Sequence, residues 1–262
     1  MPQVSESKYL VMAGWNDVPH LDERTKRELL DSTPSHMREA RSRGIPVLGS
    51  GRIFPIDEDT IKEPIIQIPE HWARLAAIDF GWDHPTAGAW GAWDRDSDVV
   101  HIYDAYKLSE ATPIIHAATF KAKGDWIPVA WPHDGLQHDK GSGVALADQY
   151  RKLGVNMLKH QATHPPGPGQ EEGQGGNGVE AGIMEMLNRM QTGRLKVAAH
   201  LEVFFEEFRL YHRKDGKIVK EFDDVISAVR YLIMMLRFAR VKPVKKIAGH
   251  STFRPLDAEI GL

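Results

Sequence analysis

The stretch from Ala73 to Pro85 constrains this chain most. From Ala73 to Phe80 it is almost wholly apolar, short, and suited to a buried strand. It then delivers a carboxylate, Asp79, and turns at once through Gly81 and Pro85. An ionised aspartate at the end of a buried strand is costly unless something cationic compensates it. A helix dipole or an arginine can do this, and a divalent metal does it best. After the turn, Thr86 to Trp93 reads as a second strand and Val99 to Leu108 as a third, with the polar run Asp94–Asp98 between them. The expectation is a meander whose first strand ends in a functional acid.

A chain of 262 residues holds one large domain, or one domain plus an appendage. Its 42% hydrophobic and 26% charged content suit a soluble globular protein with a sizeable core. There is no cysteine, which excludes disulfides and cysteine-ligated zinc and fits a reducing compartment. No signal peptide or long apolar run stands near Met1, so the expectation is a soluble cytosolic protein with no membrane partner. The net charge of −3 does not imply a nucleic-acid partner; local basic patches would have to meet one.

Residues 1–70 differ from the rest. Asp22 to Leu30 and Ser35 to Arg43 read as short helices, with Gly44 just past the second, and Gly49 to Pro55 reads as a loop. Two helices this short bury too little to fold alone. They are either an arm lying on the main domain or a remnant of a preceding one. No G-x-x-x-x-G-K-S/T phosphate loop is present. Beyond the meander, Thr112 to Lys123 reads as a helix closed by Gly124, and Trp126 to Trp131 as a strand weakened by Pro128 and Pro132. That strand leads into Pro132-His133-Asp134-Gly135, a second carboxylate at a strand exit. Gly143 to Leu153 reads as a helix and Val155 to Gln161 as a strand, a pattern of α/β layers. His164 to Gly178 is a Gly- and Pro-rich loop or poorly ordered insert.

Val179 to Gln191 carries Ile183, Met184, Met186, Leu187 and Met190 at helical spacing, a core face. Leu201 to Tyr211 is a further amphipathic helix, and Lys214-Asp215-Gly216-Lys217 a hairpin turn. Asp223-Asp224 opens the longest apolar helix, Val225 to Ala239. Asp is a preferred cap, but two adjacent acids exceed what capping requires. From Arg237 to Arg254 six cations occur with no acid after them until Asp257; this tail is either solvated or a contact for nucleic acid or an acidic partner.

Asp79, Asp134 and the Asp223/Asp224 pair are hard oxygen donors suited to Mg²⁺ or Mn²⁺. Two such ions about 3.5–4 Å apart can activate water and stabilise the leaving oxygen in phosphodiester cleavage. Aspartates at strand exits also occur in ordinary turns, so pattern alone leaves both readings open. The segments Asp79–Ala87, Trp131–Gly135, Tyr211–Lys217 and Asp223–Tyr231, in this order, resemble the nuclease domain of the large terminase subunit of tailed bacteriophages. Trp15 to Pro55 resembles the end of that family's ATPase domain and its linker.

The resemblance implies an α/β, RNase H-like mixed β-sheet flanked by helices, with a helical N-terminal arm. It implies an arm and linker over 1–70 and a nuclease domain over 71–240, and the run of cations then marks a basic tail over 241–262. It also implies an Mg²⁺- or Mn²⁺-dependent endonuclease, with two ions, that cuts concatemeric viral DNA during packaging in the host cytoplasm. Double-stranded DNA, the small terminase subunit and the portal protein are the implied partners. The family's acids map onto Asp79, Asp134 and Asp223/Asp224, with Asp224 favoured as direct ligand and Asp223 as second ligand or cap. The missing nucleotide loop departs from the full-length pattern and leaves a fragment or a separate nuclease subunit.

Asp83 and His84 could supply an outer ligand, touch a phosphate or serve the turn; His133 could orient a ligand or water. Glu180 could enter the site or only start its helix. Lys140, Arg213, Lys214 and Lys217 are candidate DNA-backbone contacts, with the hairpin tip preferred. No Gly-x-Ser-x-Gly elbow supports a serine hydrolase. Two other readings stand beside the terminase: a non-enzymatic docking module for DNA or portal, and another RNase H-fold nuclease such as a resolvase or transposase.

Overall fold

Alternation along the strand Ala73–Asp79 sets the architecture. In a computed structural model, which describes residues 3–5, 8–9, 13–33, 38–44, 51–138 and 143–243, six strands form one mixed sheet. They are β1 (Lys62–Glu63), β2 (Ala73–Asp79), β3 (Thr86–Asp94), β4 (Val99–Leu108), β5 (Val129–Ala130) and β6 (Leu195–Ala198). Their spatial order is β1-β6-β4-β3-β2-β5. The meander β2-β3-β4 is antiparallel, as expected, while β5 runs parallel to β2, and β6 parallel to β4 and β1.

Helices α1 (Glu23–Ser32) and α2 (Arg38–Arg43) precede the sheet. Helices α3 (Pro113–Gly124), α4 (Leu146–Lys152), α5 (Val179–Gln191), α6 (Glu202–Leu210) and α7 (Asp224–Met234) complete the fold. Successive residues of β2 point to opposite faces. Leu75 and Ala77 enter a larger core with α5, α6 and α7, whereas Ala76 and Ile78 enter a smaller one with Phe120 of α3 and Tyr150 of α4. The sheet is thus buried on both sides, which is why β2 reads as a nearly continuous apolar run. Asp79 shares the parity of Leu75 and Ala77, so it faces α7.

Several expectations need correction. The strand expected over Trp126–Trp131 shrinks to Val129–Ala130, because Pro128 has no N–H to donate; its carbonyl still accepts from Ala76 N at 2.9 Å. Val155 to Gln161 is not a strand: it runs beside β5 through a single bridge, Val129 to Met157. The helix expected from Gly143 begins at Leu146. Met184 is 59% exposed and lies off the core face that Ile183, Met186 and Met190 share. The apolar helix ends as α7 at Met234 and tightens into a 3₁₀ turn over Leu236–Phe238.

The segment expected as linker is not loose. Phe54 and Ile61 are fully buried in the larger core, and β1 is one of the sheet's two edge strands. The start of the expected tail is also pinned: Arg237 grips Glu172 and Arg240 pairs with Arg74 across a β-bridge. Lys140, the Gly49-Ser50 part of the early loop, residues 34–37 and the tail beyond residue 243 lie outside the described residues. Among the described residues no helix is long and apolar enough to cross a membrane.

Candidate active site

Three elements deliver acids to one end of the sheet. The strand β2 ends at Asp79; β5 leads into a 3₁₀ turn, His133–Leu136, that carries Asp134; α7 begins at Asp224 with Asp223 just before it. Because β2 and β5 are parallel, their carboxyl ends fall side by side. In open α/β sheets that edge is where ligands bind. Asp79, Asp134, Asp223 and Asp224 all line one cavity of about 540 Å³, together with His84, His133 and Arg230.

The turn after Asp79 depends on glycine. A Cβ on Gly81 would lie 2.2 Å from His84 O and 2.7 Å from Pro85 O. Thr86 Oγ1 closes the turn, donating to Gly81 O at 2.8 Å. Replacing Gly81 by alanine is expected to lower stability by about 1–3 kcal/mol through overpacking. The same substitution moves the Asp79 turn, so thermal melts and cleavage assays should both register it.

Neither acid at the head of α7 is used up as a cap. Asp223 holds the cap position but makes no capping hydrogen bond with its side chain. The work is done by Glu207 from α6, whose Oε2 accepts the backbone N–H groups of Val225 (2.8 Å) and Ile226 (3.0 Å). Its other oxygen accepts from Lys107 Nζ at 2.6 Å. Sequence reasoning missed both residues. The available signal was Glu207 itself, a charge set among Phe204, Phe205 and Phe208 on the buried side of an amphipathic helix.

Lys107 reaches the site because β4 carries a bulge. Trp90 pairs with Asp104 and Gly91 with Ile102, so Tyr103 is an extra residue. Strict alternation counted from Ile102 would send Lys107 to the α3 side. The bulge resets the count, and Lys107 pairs with Ala87, which in turn pairs with Asp79. Directly opposed residues share a face, so Asp79, Ala87 and Lys107 form one row across three strands. Lys107 Nζ also lies 2.8 Å from Asp224 Oδ2.

The electrostatics follow from this crowding. Burial, with added repulsion from Asp223, Asp224 and Asp134, pushes the Asp79 carboxyl up to about 8 against the pull of Arg230. Burial and then Asp224 push Asp223 up as well. Burial disfavours charge on Lys107, yet its hydrogen bonds to Asp224 and Glu207 hold its pKa above the ordinary lysine value. Arg230 is a buried cation, 4% exposed, whose Nε has no hydrogen-bond partner among the described residues. Gly182 makes room for it: a Cβ there would lie 2.7 Å from Arg230 Cγ.

The other candidates separate. His84 and His133 line the cavity, and His133 Nδ1 is 2.7 Å from Gln161 Oε1. Asp83 is exposed and does not line it. Glu180 does not enter it either: it is forked onto Arg213, at 2.7 and 2.5 Å. That pairing also engages Arg213, while Lys214 and Lys217 stay exposed on the hairpin β7 (Arg213–Lys214) and β8 (Lys217–Ile218). The hairpin turn forms as expected, with Asp215 and Gly216 at φ 50° and 75°.

Among the described residues, no three acid or imidazole groups already stand close enough together to hold one ion. The donor chemistry nevertheless fits a hard divalent cation. The cavity offers carboxylate oxygens from separate elements, and their burial and repulsion are what such an ion relieves.

A mixed sheet with helices on both faces and carboxylates at one end, beneath a helix N-terminus, defines an RNase H-like fold with an acidic site. The chain belongs to the family of the terminase RNaseH-like domain, whose model matches residues 76–236. It is 47% identical over 238 residues to the terminase large subunit of Salmonella phage P22, covering 90% of this chain and 46% of that one. The solved nuclease domain of the P22 large terminase is 49% identical with a TM-score of 0.66, over 74% of this chain and 96% of that one. The large terminase of thermophilic bacteriophage D6E shares the fold at 17% identity, with a TM-score of 0.55 over 86% of this chain and 55% of that one. The chain spans about half the length of the curated relatives it matches.

Proposed function

We propose that this chain is a metal-dependent DNA endonuclease that cuts concatemeric viral DNA during genome packaging. One observation carries the reading: four carboxylates from three elements line a single cavity, and the head of α7, which supplies two of them, is capped by a fifth acid. Capping therefore does not account for Asp223 and Asp224. Asp79, Asp134 and Asp224 hold Mg²⁺ or Mn²⁺, two ions in all, with Asp223 as the second ligand from α7. Bound there, the metal supplies charge neutralisation at the phosphate and a more acidic water. Arg230 balances part of the negative charge at Asp79. His84 and His133, which line the same cavity, meet the phosphate in this reading.

Lys214 and Lys217 hold the DNA backbone from the exposed hairpin, a sequence-independent contact. The double-stranded DNA, small terminase subunit and portal are the partners of this reading, and the host cytoplasm is where it acts. The nuclease unit starts near residue 51 in this reading, since Phe54 belongs to its core.

Supercoiled plasmid incubated with Mg²⁺ or Mn²⁺ tests it. Wild-type protein should nick and linearise the plasmid, EDTA should stop it, and Asp134→Asn should reduce it to background while the melting curve stays cooperative. Equal cleavage in EDTA, or an unaffected Asp134→Asn, sinks the reading.

A further inference from the structure

The Lys107 ammonium sits between two carboxylates, 2.8 Å from Asp224 Oδ2 and 2.6 Å from Glu207 Oε1. The setting is largely enclosed: Lys107 is 24% exposed, Asp224 14% and Glu207 3%. Glu207 is fixed in place, since its second oxygen caps α7. Asp224 lines the cavity. An ammonium at 2.8 Å uses the lone pairs and the negative charge that a divalent ion would use. We propose that Lys107 is a positioning residue that holds Asp224 in the metal-free site and competes with the divalent ion for that carboxylate, Glu207 being the anchor to which the ammonium withdraws. This rests on the metal-site reading above.

The device has a physical rationale. Four acids on one cavity repel one another when no ion is bound. A tethered cation relieves that repulsion and keeps α7 seated, at the expense of some metal affinity. Whatever must be displaced on binding is coupled to it, and the coupling acts equally in both directions. The chain places this cation by main-chain register, through the pairing of Lys107 with Ala87 opposite Asp79.

Mn²⁺ titration calorimetry on the whole chain without DNA tests the proposal, with thermal melts in EDTA alongside. Lys107→Gln keeps a donor for Glu207 but removes the charge; Mn²⁺ should bind about tenfold tighter and the metal-free melt should fall. Lys107→Arg should bind close to wild type. Glu207→Gln keeps an acceptor for the helix cap but removes the anchoring charge, so the ammonium stays on Asp224 and Mn²⁺ should bind several-fold more weakly. A purely structural role for Lys107 predicts lower melts with no gain in affinity, and that result overturns the proposal. If Glu207→Gln fails to fold, the sign of the Lys107→Gln change decides alone. Asp79→Asn in the same calorimeter separates the two levels. If Asp79→Asn leaves Mn²⁺ binding unchanged, the metal-site reading falls. If it weakens binding while Lys107→Gln does not tighten it, only the competition by Lys107 falls.

Discussion

Asp79→Asn should abolish metal-dependent cleavage and, at pH 8 without metal, make the protein more stable than wild type. The two effects share one cause. Asp79 titrates near 8 in the folded chain, because burial and three neighbouring aspartates disfavour its charge. In the unfolded chain it titrates near the ordinary value of 3.8. Between those values the folded state binds the extra proton, so stability falls as pH rises from about 4 to about 8. The contribution is fully present below the unfolded pKa and gone above the folded one. An amide cannot ionise and escapes this loss, a gain of about 2–5 kcal/mol at pH 8 that vanishes near pH 4. In wild type a divalent ion should have the same effect, raising the melt more at pH 8 than at pH 5 and releasing a proton below pH 8. Melts of both proteins from pH 4 to 8, with EDTA and with Mn²⁺, measure this. Parallel pH curves for the two proteins in EDTA would show that Asp79 is not the buried acid described here.

Phe54→Ala should lower stability by about 3–5 kcal/mol, among the largest effects of any single truncation. Phe54 is fully buried, stacked on Phe208 at 5.6 Å with an interplanar angle of 4°, and 6.0 Å from the Tyr211 ring. Phe208 follows Glu207 on α6. The cavity therefore opens beneath the residue that caps α7, and the loss should reach the acids as well as the core. Denaturant unfolding gives the stability change, and Mn²⁺ affinity of the surviving folded fraction gives the effect on the site. A loss below about 1 kcal/mol would mean that the segment before β1 is not part of the cooperative unit.

The parts legible in the sequence are those decided locally. The three strands of the meander, the apolar helix and the Asp-Gly hairpin turn each follow from residues within a few positions of one another. Asp79 was readable because a carboxylate at the end of so apolar a run needs a cationic partner. The ambiguity at Asp223 and Asp224 was real, since either could have been a cap. It is resolved by Glu207, from another helix, which no local pattern connects to Val225. The same holds for Glu180 and Arg213, which engage each other across 33 positions, and for Phe54, which lies in a stretch that reads as loop. Val155 to Gln161 failed as a strand because its neighbour β5 is two residues long and offers little to pair with.

One extra residue at Tyr103 also bears on how such a chain can change length. A single insertion in a strand ordinarily inverts every side chain beyond it. Here the surplus is absorbed on the spot, with Trp90 opposite Asp104 and Gly91 opposite Ile102 on either side of it. Tyr103 packs with the smaller core, its ring 5.9 Å from the Arg74 guanidinium. A sibling protein lacking this tyrosine would keep its lysine turned toward the acids. One that gained or lost a residue between Asp104 and Lys107 would not, and its counterpart of Lys107 must be counted back from the partner of Ala87.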